Sequence, residues 1–254
     1  MYPILLNLKS IPITSYMVCL LAAAAVTTWL GGLEARRTGL VPGHFYHMCL
    51  WMCVAFFLGS YLNAEVFAYL YRPQEPWHIS GIFHRGLVFH GGLLLALTTA
   101  MGYLTWRRLP WRSYLDCLAV GLPLGQALGR LGCFLGGCCR GSQTDVPWGV
   151  TFPTPYINQL RPVPVHPVQL YEALLLVGVF GVIFWWRRRR RFPGELLAMY
   201  VSLAGWVRFG VEFFRSPADY RGPVFLTLPF TQWLALLLAI GGGALWWWGR
   251  RPPP

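Results

Sequence analysis

The feature that most limits this chain is a series of apolar runs, each about twenty residues long and nearly free of charge. They stand near 13–33, 44–64, 86–106, 114–135, 168–186, 195–214 and 224–248. A helix of ~20 residues satisfies its own backbone and crosses the ~30 Å hydrocarbon core of a bilayer. The sequence therefore predicts an all-α, polytopic integral membrane protein of seven transmembrane helices, with residues 1–254 as a single domain and no sizeable soluble appendage. The first run starts some dozen residues in, has no basic residue before it beyond Lys9 and lacks a convincing small-residue cleavage site. It reads as a retained helix rather than a signal peptide.

Charge supplies direction. Lys and Arg number 21 against 9 Asp and Glu, a balance of +12 in a chain with only 12% charged residues, where a soluble domain carries ~25%. A basic chain can bind nucleic acid, but a groove binder does not also carry 13 Trp and 16 Phe among long charge-free runs, so no nucleic-acid partner is expected. Instead Arg36 and Arg37 follow the first run, Arg107, Arg108 and Arg112 the third, Arg187 to Arg191 the fifth, and Arg250 and Arg251 the seventh. Cytoplasmic loops collect such residues, which puts the N-terminus outside and the C-terminus in the cytoplasm. The opposite loops hold mainly Arg72, Arg161 and Arg221, balanced by Glu65, Glu75, Asp145 and Asp219. Trp106, Trp111, Trp185, Trp186 and Trp246 to Trp248 flank the basic clusters as interfacial anchors. The PPP tail reads as a disordered end.

Setting aside the topological arginines leaves polar residues inside or at the outer ends of the runs. A charge there costs ~2.5 kcal/mol or more on insertion scales, so such residues tend to face a cavity. His90 begins the third helix and is followed by Gly91 and Gly92, which let a helix or a ligand approach the backbone. It is either a reactive group or an interhelical hydrogen-bonder. The fourth helix carries a stripe of small residues, Gly121, Gly125, Gly129, Gly132 and Gly136, that reads as packing. Arg130 stands near its outer end, placed to take a lipid phosphate or to pair with Glu172 or Glu212. In the sixth helix Arg208, Glu212 and Arg215 follow at i, i+4 and i+7 and share a face, with Glu212 able to orient either guanidinium. The proline-rich stretch 137–167 is a loop. It delivers His166, Gln169, Tyr171 and Glu172 to the outer entrance of the fifth helix.

Seven cysteines are an odd count and few for a disulfide scaffold. Cys19, Cys49, Cys53 and Cys117 read as small apolar fillers. Cys133, Cys138 and Cys139 admit a thiol-redox centre, although adjacent cysteines make a strained pair and no CxxC occurs. They also admit a Zn site with His166, although the spacing fits no standard pattern.

The strings HRGLVFHGG, GRLGCFLGGCCRG, HPVQLYE and RFGVEFFRSP, in this order and topology, resemble the prolipoprotein diacylglyceryl transferase family over nearly the whole chain, from Tyr16 to Arg215. The resemblance implies a multi-pass bacterial inner-membrane enzyme with its active site toward the periplasmic leaflet. Its reaction would move the diacylglyceryl group of phosphatidylglycerol onto the lipobox cysteine thiol of a prolipoprotein, forming a thioether and releasing glycerol phosphate. Partners are then phosphatidylglycerol, the signal peptides of prolipoproteins and membrane lipid; no metal or organic cofactor is expected. The resemblance implies catalytic roles for His90, Arg130 and Arg208, and substrate binding by Tyr16, Gly91, Gly92, Cys133, Gly141, Glu212 and Arg215. The chemistry of the residues agrees: guanidinium groups can stabilise charge on a departing phosphate, and a thiol of ordinary pKa near 8.5 needs a base such as His90. The chain departs from the family pattern at Cys133 and Gly136, where Asn is common, at Cys138, where an acid is common, and at Val165 and Ser60, where Arg is common. Two alternatives follow, a membrane thiol-redox protein built on Cys133, Cys138 and Cys139, and a lipid-binding relative without catalysis.

Overall fold

The computed structural model describes the backbone of residues 4–8, 11–71, 89–152, 163–215 and 224–251, with side chains from residue 14 onward apart from those of 64, 65, 67–71, 89, 90 and 224. Arg72, Arg161, Arg221 and the PPP tail lie outside this set, as does the His90 side chain.

Seven helices stand among the described residues: α1 Ser15–Arg37, α2 Pro42–Tyr71, α3 Phe89–Trp106, α4 Trp111–Leu135, α5 Val168–Trp186, α6 Glu195–Glu212 and α7 Phe230–Gly249. They follow the seven apolar runs. Three two-stranded antiparallel sheets accompany them among the described residues: β1 Ile4–Leu8 with β2 Ile11–Thr14, β3 Val150–Thr151 with β4 Pro164–Val165, and β5 Val224–Phe225 with β6 Leu228–Pro229. Helix α7 starts later than the apolar pattern predicts because the chain first turns. Leu226 and Thr227 both take positive φ, 47° and 67°, the conformation of a two-residue hairpin turn.

Among the described residues, five helices are long and apolar enough to cross a membrane: α1, α2 over Pro42–Asn63, α4, α5 and α7. Helix α6, at 18 residues, falls short because it holds Glu195, Arg208 and Glu212, and α3, also of 18 residues, opens on two residues whose side chains are not described. Outward-facing Leu174, Leu237, Ile240 and Leu245 give these helices apolar outer faces, as a hydrocarbon solvent requires.

The chain divides into two compact units, residues 32–114 and residues 1–31 with 115–254. In the first, α2 and α3 pack where glycines remove side chains. A Cβ on Gly91 would lie 2.7 Å from the Gly59 carbonyl oxygen, and one on Gly92 would lie 2.6 Å from that of Phe56. His44 Nδ1 meets Tyr103 Oη at 3.0 Å, and the Tyr114 hydroxyl donates to the Val41 carbonyl at 3.3 Å.

In the second unit the glycine stripe of α4 receives α1: added Cβ atoms at Gly121 and Gly125 would collide with Thr27, and at Gly132 with Cys19. Ala119, Val120, Val179, Ile183 and Leu196 knit α4, α5 and α6 into one core. Gly205 and Gly242 let α6 and α7 touch backbone to backbone, and the Ser202 hydroxyl donates to the Ala239 carbonyl at 2.8 Å.

The basic-cluster end of this unit is held by two buried carboxylates. Asp116 of α4 accepts from the Gly194 and Leu197 amides at 2.7 and 2.9 Å, capping the exposed N–H groups of α6 from a different helix. Glu195 accepts from Trp186 Nε1, Trp246 Nε1 and Arg250 Nε at 3.1 to 3.2 Å and from the Arg191 amide at 2.5 Å. The ends of α5, α6 and α7 are thereby fastened to one side chain.

Candidate functional site

At the opposite end of the same unit, the C-termini of α4 and α6 meet the N-termini of α5 and α7, and five charged side chains form an alternating row. Arg130 Nη2 lies 2.9 Å from Glu172 Oε1. The other oxygen of Glu172 stands 3.3 Å from Arg208 Nη1, and Arg208 Nη2 lies 2.5 Å from Glu212 Oε2. Arg215 Nη1 closes the row 3.9 Å from the same Glu212 oxygen, while the Thr231 hydroxyl donates to Glu212 Oε1 at 2.9 Å. Three guanidinium groups against two carboxylates leave one net positive charge. The carboxylates are buried, at 8% and 3% side-chain exposure, but Arg130 and Arg208 stay about a quarter exposed. The row thus turns its cations, rather than its anions, toward the outside. Among the described residues, Arg215 Nε is a buried donor without a hydrogen-bond partner.

Placing these charges in a spanning unit is expensive unless each is paired, and Glu172 answers that cost by using one oxygen on each side. It connects α4 to α6 through α5. The same pairing fixes the rotamers of Arg130 and Arg208, leaving the rest of each planar fork of donors for an anion.

The loop after α4 closes over this end. Helix α4 terminates in a Schellman motif, with Gly137 left-handed at φ 71°, its amide on the Phe134 carbonyl and the Cys138 amide on the Cys133 carbonyl. Gly141 then pairs with Arg215 in an isolated antiparallel bridge, and its amide donates to the His166 carbonyl at 3.1 Å. A Cβ there would lie 2.5 Å from Val168 Cγ2 and 2.6 Å from the His166 carbonyl oxygen. Gly141 is therefore a close-approach position, through which the loop is stitched to both α5 and the end of α6. Ser142 extends the stitch with its amide on the Phe214 carbonyl at 2.8 Å. Tyr171 Oη accepts from Trp148 Nε1 at 2.7 Å and meets His166 Nδ1 at 3.2 Å.

Cys133, Cys138 and Cys139 converge, their sulfur atoms all within 4.8 Å of one another. Cys138 and Cys139 follow the helix, outside the spanning segment. The Cys139 thiol is held below the ordinary thiol range by hydrogen bonds from Cys133 and Cys138, assisted by Arg130 and Arg215. Cys138 is pushed up, because it serves as the hydrogen-bond donor toward Cys133 and Cys139. One thiolate in the group holds its neighbours protonated.

The structure brings Arg130, Arg208, Glu212 and Arg215 into one row and sets Cys133 and Gly141 beside its end of the unit. Tyr16, in the first turn of α1, packs at α4 in the same unit: a Cβ on Gly132 would lie 3.3 Å from its Cδ2. Gly91 and Gly92 are used in α2 packing in the other unit. His90 has its backbone in the first turn of α3. The role of Glu172 as the bridge between two arginines, Thr231 as a ligand of Glu212, and Gln169 as a pin on the Cys138 carbonyl at 2.6 Å were not foreseen. The sequence offers Glu172 as a partner of Arg130, a pairing the structure shows, but gives no sign of its second contact, to Arg208.

Helices suited to spanning a bilayer and a row of arginines at one end define a multi-pass helical membrane protein with a cationic end. Comparison with known proteins carries this to a family: the family model described as prolipoprotein diacylglyceryl transferase matches residues 3–248, and the chain belongs to that family. Its relatives named phosphatidylglycerol--prolipoprotein diacylglyceryl transferase include one from Cupriavidus metallidurans, 31% identical over 94% of this chain and 90% of that protein. Another, from Idiomarina loihiensis, is 32% identical over 89% of this chain and 84% of its own length. A third, from Nitratidesulfovibrio vulgaris, is 35% identical over 76% of this chain and 73% of its own.

Proposed function

We propose that this chain is a phosphatidylglycerol--prolipoprotein diacylglyceryl transferase, acting as a single domain of seven spans in a bacterial inner membrane with the Arg130 end toward the periplasmic leaflet. The observation that carries the reading is the row Arg130, Glu172, Arg208, Glu212, Arg215, with its net positive charge and outward guanidinium groups. A phosphodiester headgroup carries one negative charge, which this row complements. Arg130 and Arg208 hold the phosphate, Glu172 and Glu212 orient them, and the spare donor of Arg215 adds a contact.

His90 takes the proton of the acceptor thiol. The sulfur attacks the glyceryl carbon that bears the phosphate, the C–S bond forms as the C–O bond breaks, and the electron pair leaves on the phosphate oxygen of glycerol phosphate. Guanidinium groups fixed in advance stabilise that departing charge. Tyr16, Gly91, Gly92, Cys133 and Gly141 shape the substrate sites. Both substrates are membrane-embedded, the lipid by its acyl chains and the precursor by its signal peptide, so both reach the site from within the bilayer.

The test supplies purified protein in nanodiscs with phosphatidylglycerol and a lipobox peptide, then follows glycerol phosphate release and peptide mass. The reading expects a thioether-linked diacylglyceryl mass on the peptide. Lipid bound without turnover would overturn it in favour of a lipid-binding relative. Loss of function in Cys138→Ser and Cys139→Ser with none in Arg208→Ala would overturn it in favour of thiol redox chemistry.

A further inference from the structure

We propose that Cys133, Cys138 and Cys139 form a three-thiolate site for a divalent thiophilic cation of the Zn2+ class. The spacing C-x4-C-C gives little sign of it. The structure supplies what the spacing lacks, in three separate devices. The Schellman turn at Gly137 folds the chain so that Cys138 returns to Cys133, with its thiol 3.6 Å from the Cys133 carbonyl oxygen. Cys139 adopts φ 58°, left-handed and uncommon for a residue with a Cβ, and this aims its side chain at the same point. Gln169 of α5 pins the carbonyl between them at 2.6 Å.

The distances suit one ion. Sulfurs bound to Zn2+ at ~2.3 Å in tetrahedral geometry stand ~3.8 Å apart, and the three here already lie within 4.8 Å of one another. A closure of about 1 Å in side chains near a loop completes the site. Access is provided by Cys138, which is exposed, and Cys139, which is half-buried.

Charge also favours occupation. Binding releases the protons of the remaining thiols to solvent, forms three metal–sulfur bonds and changes no oxidation state. The resulting complex of a divalent ion with three thiolates has one negative charge. Arg130 and Arg215 both act electrostatically on Cys139, so they offset the charge that such a complex would carry. His166 is outside the group, its Nδ1 turned to Tyr171 Oη at 3.2 Å. The fourth position of the ion is then left to water or a solute thiol, as in zinc sites with three protein ligands.

The experiment uses the full chain, reduced, in nanodiscs, and equilibrated with Co2+ or Zn2+ before removal of free metal. The expected result is one ion per chain, a thiolate-to-Co2+ charge-transfer band that Zn2+ abolishes, and more than about 100-fold weaker binding for Cys138→Ser, beyond the loss typical of outer-shell changes. Alkylation of the wild type keeps the test independent of how the variants fold: Zn2+ should protect all three cysteines, mapped by peptide mass, and a chelator should restore their reactivity. Absence of the band, Zn2+ bound while the three cysteines are alkylated at the metal-free rate, or their isolation as a disulfide that takes up no metal after reduction would each overturn the proposal.

Discussion

The two ends of the unit formed by residues 1–31 and 115–254 use the same residue types to opposite effect. At the basic-cluster end the carboxylates are the consumers. Glu195 is fully buried and receives four donors from Trp186, Trp246, Arg250 and the Arg191 amide, while Asp116, equally buried, is spent on the first amides of α6. At the Arg130 end the two carboxylates, Glu172 and Glu212, pair instead with three arginines, which outnumber them. Carboxylates spent on backbone amides and indole N–H groups fasten helix ends. Carboxylates outnumbered by the arginines they orient leave a net positive charge, which suits an anion.

Breaking the fastening should produce the largest change. Glu195→Ala leaves Arg250 and two indole N–H groups without their acceptor, and loss of one partner of a buried ion pair costs about 3–5 kcal/mol. Thermal unfolding in detergent should register it, while the folded fraction keeps its transferase activity. Arg208→Ala should do what Glu195→Ala does not, lowering turnover per folded molecule by about 10²–10³. It should also lower the unfolding temperature by taking a partner from buried Glu172 and Glu212. Between these extremes, Gly141→Ala must find room 2.5 Å from Val168 Cγ2. Overpacking of this kind costs about 1–3 kcal/mol, and limited proteolysis of the loop after α4 should accelerate. Glu172→Gln keeps the shape of the bridge but presents an amide N–H to one guanidinium, so a drop in turnover of about tenfold is expected from the loss of one charge-assisted contact.

The smallest effect concerns pH. Cys139 is depressed and Cys138 raised relative to an ordinary thiol. As pH falls from about 8.5 to about 6, an ordinary thiol loses most of its thiolate, and a thiol held below that range, as Cys139 is, loses less. Iodoacetamide labelling of metal-free protein at the lower pH should therefore mark Cys139 ahead of Cys138.

The spans were legible because apolar runs of bilayer length have few other uses, and α5 matches its run end for end. The face shared by Arg208, Glu212 and Arg215 was legible for a local reason, since i, i+4 and i+7 fix it within one helix. What escaped were contacts between helices. Asp116 and Glu195 are single acids in apolar stretches, and no local pattern says that one caps a distant helix or that the other gathers Trp246 and Arg250. Glu172 was visible as a partner of Arg130, but its second oxygen reaches Arg208, 36 residues away in sequence. The hairpin before α7 was missed because Val224, Phe225 and Leu226 continue the apolar run without a glycine to mark the turn. The cysteine group was discounted on spacing, whereas its geometry depends on a left-handed glycine and a left-handed cysteine that composition does not reveal.

The claim at the centre of this account is that the arginine row holds the headgroup phosphate while the opposite cluster only holds helices together. Its most direct test measures glycerol phosphate release from phosphatidylglycerol in nanodiscs with a lipobox peptide, comparing wild type, Arg208→Ala and Asp116→Ala at matched folded protein. The account predicts release in the wild type, a loss of at least about 100-fold in Arg208→Ala and an unchanged rate in Asp116→Ala. Equal rates for wild type and Arg208→Ala, or an equal fall in both variants, would contradict it.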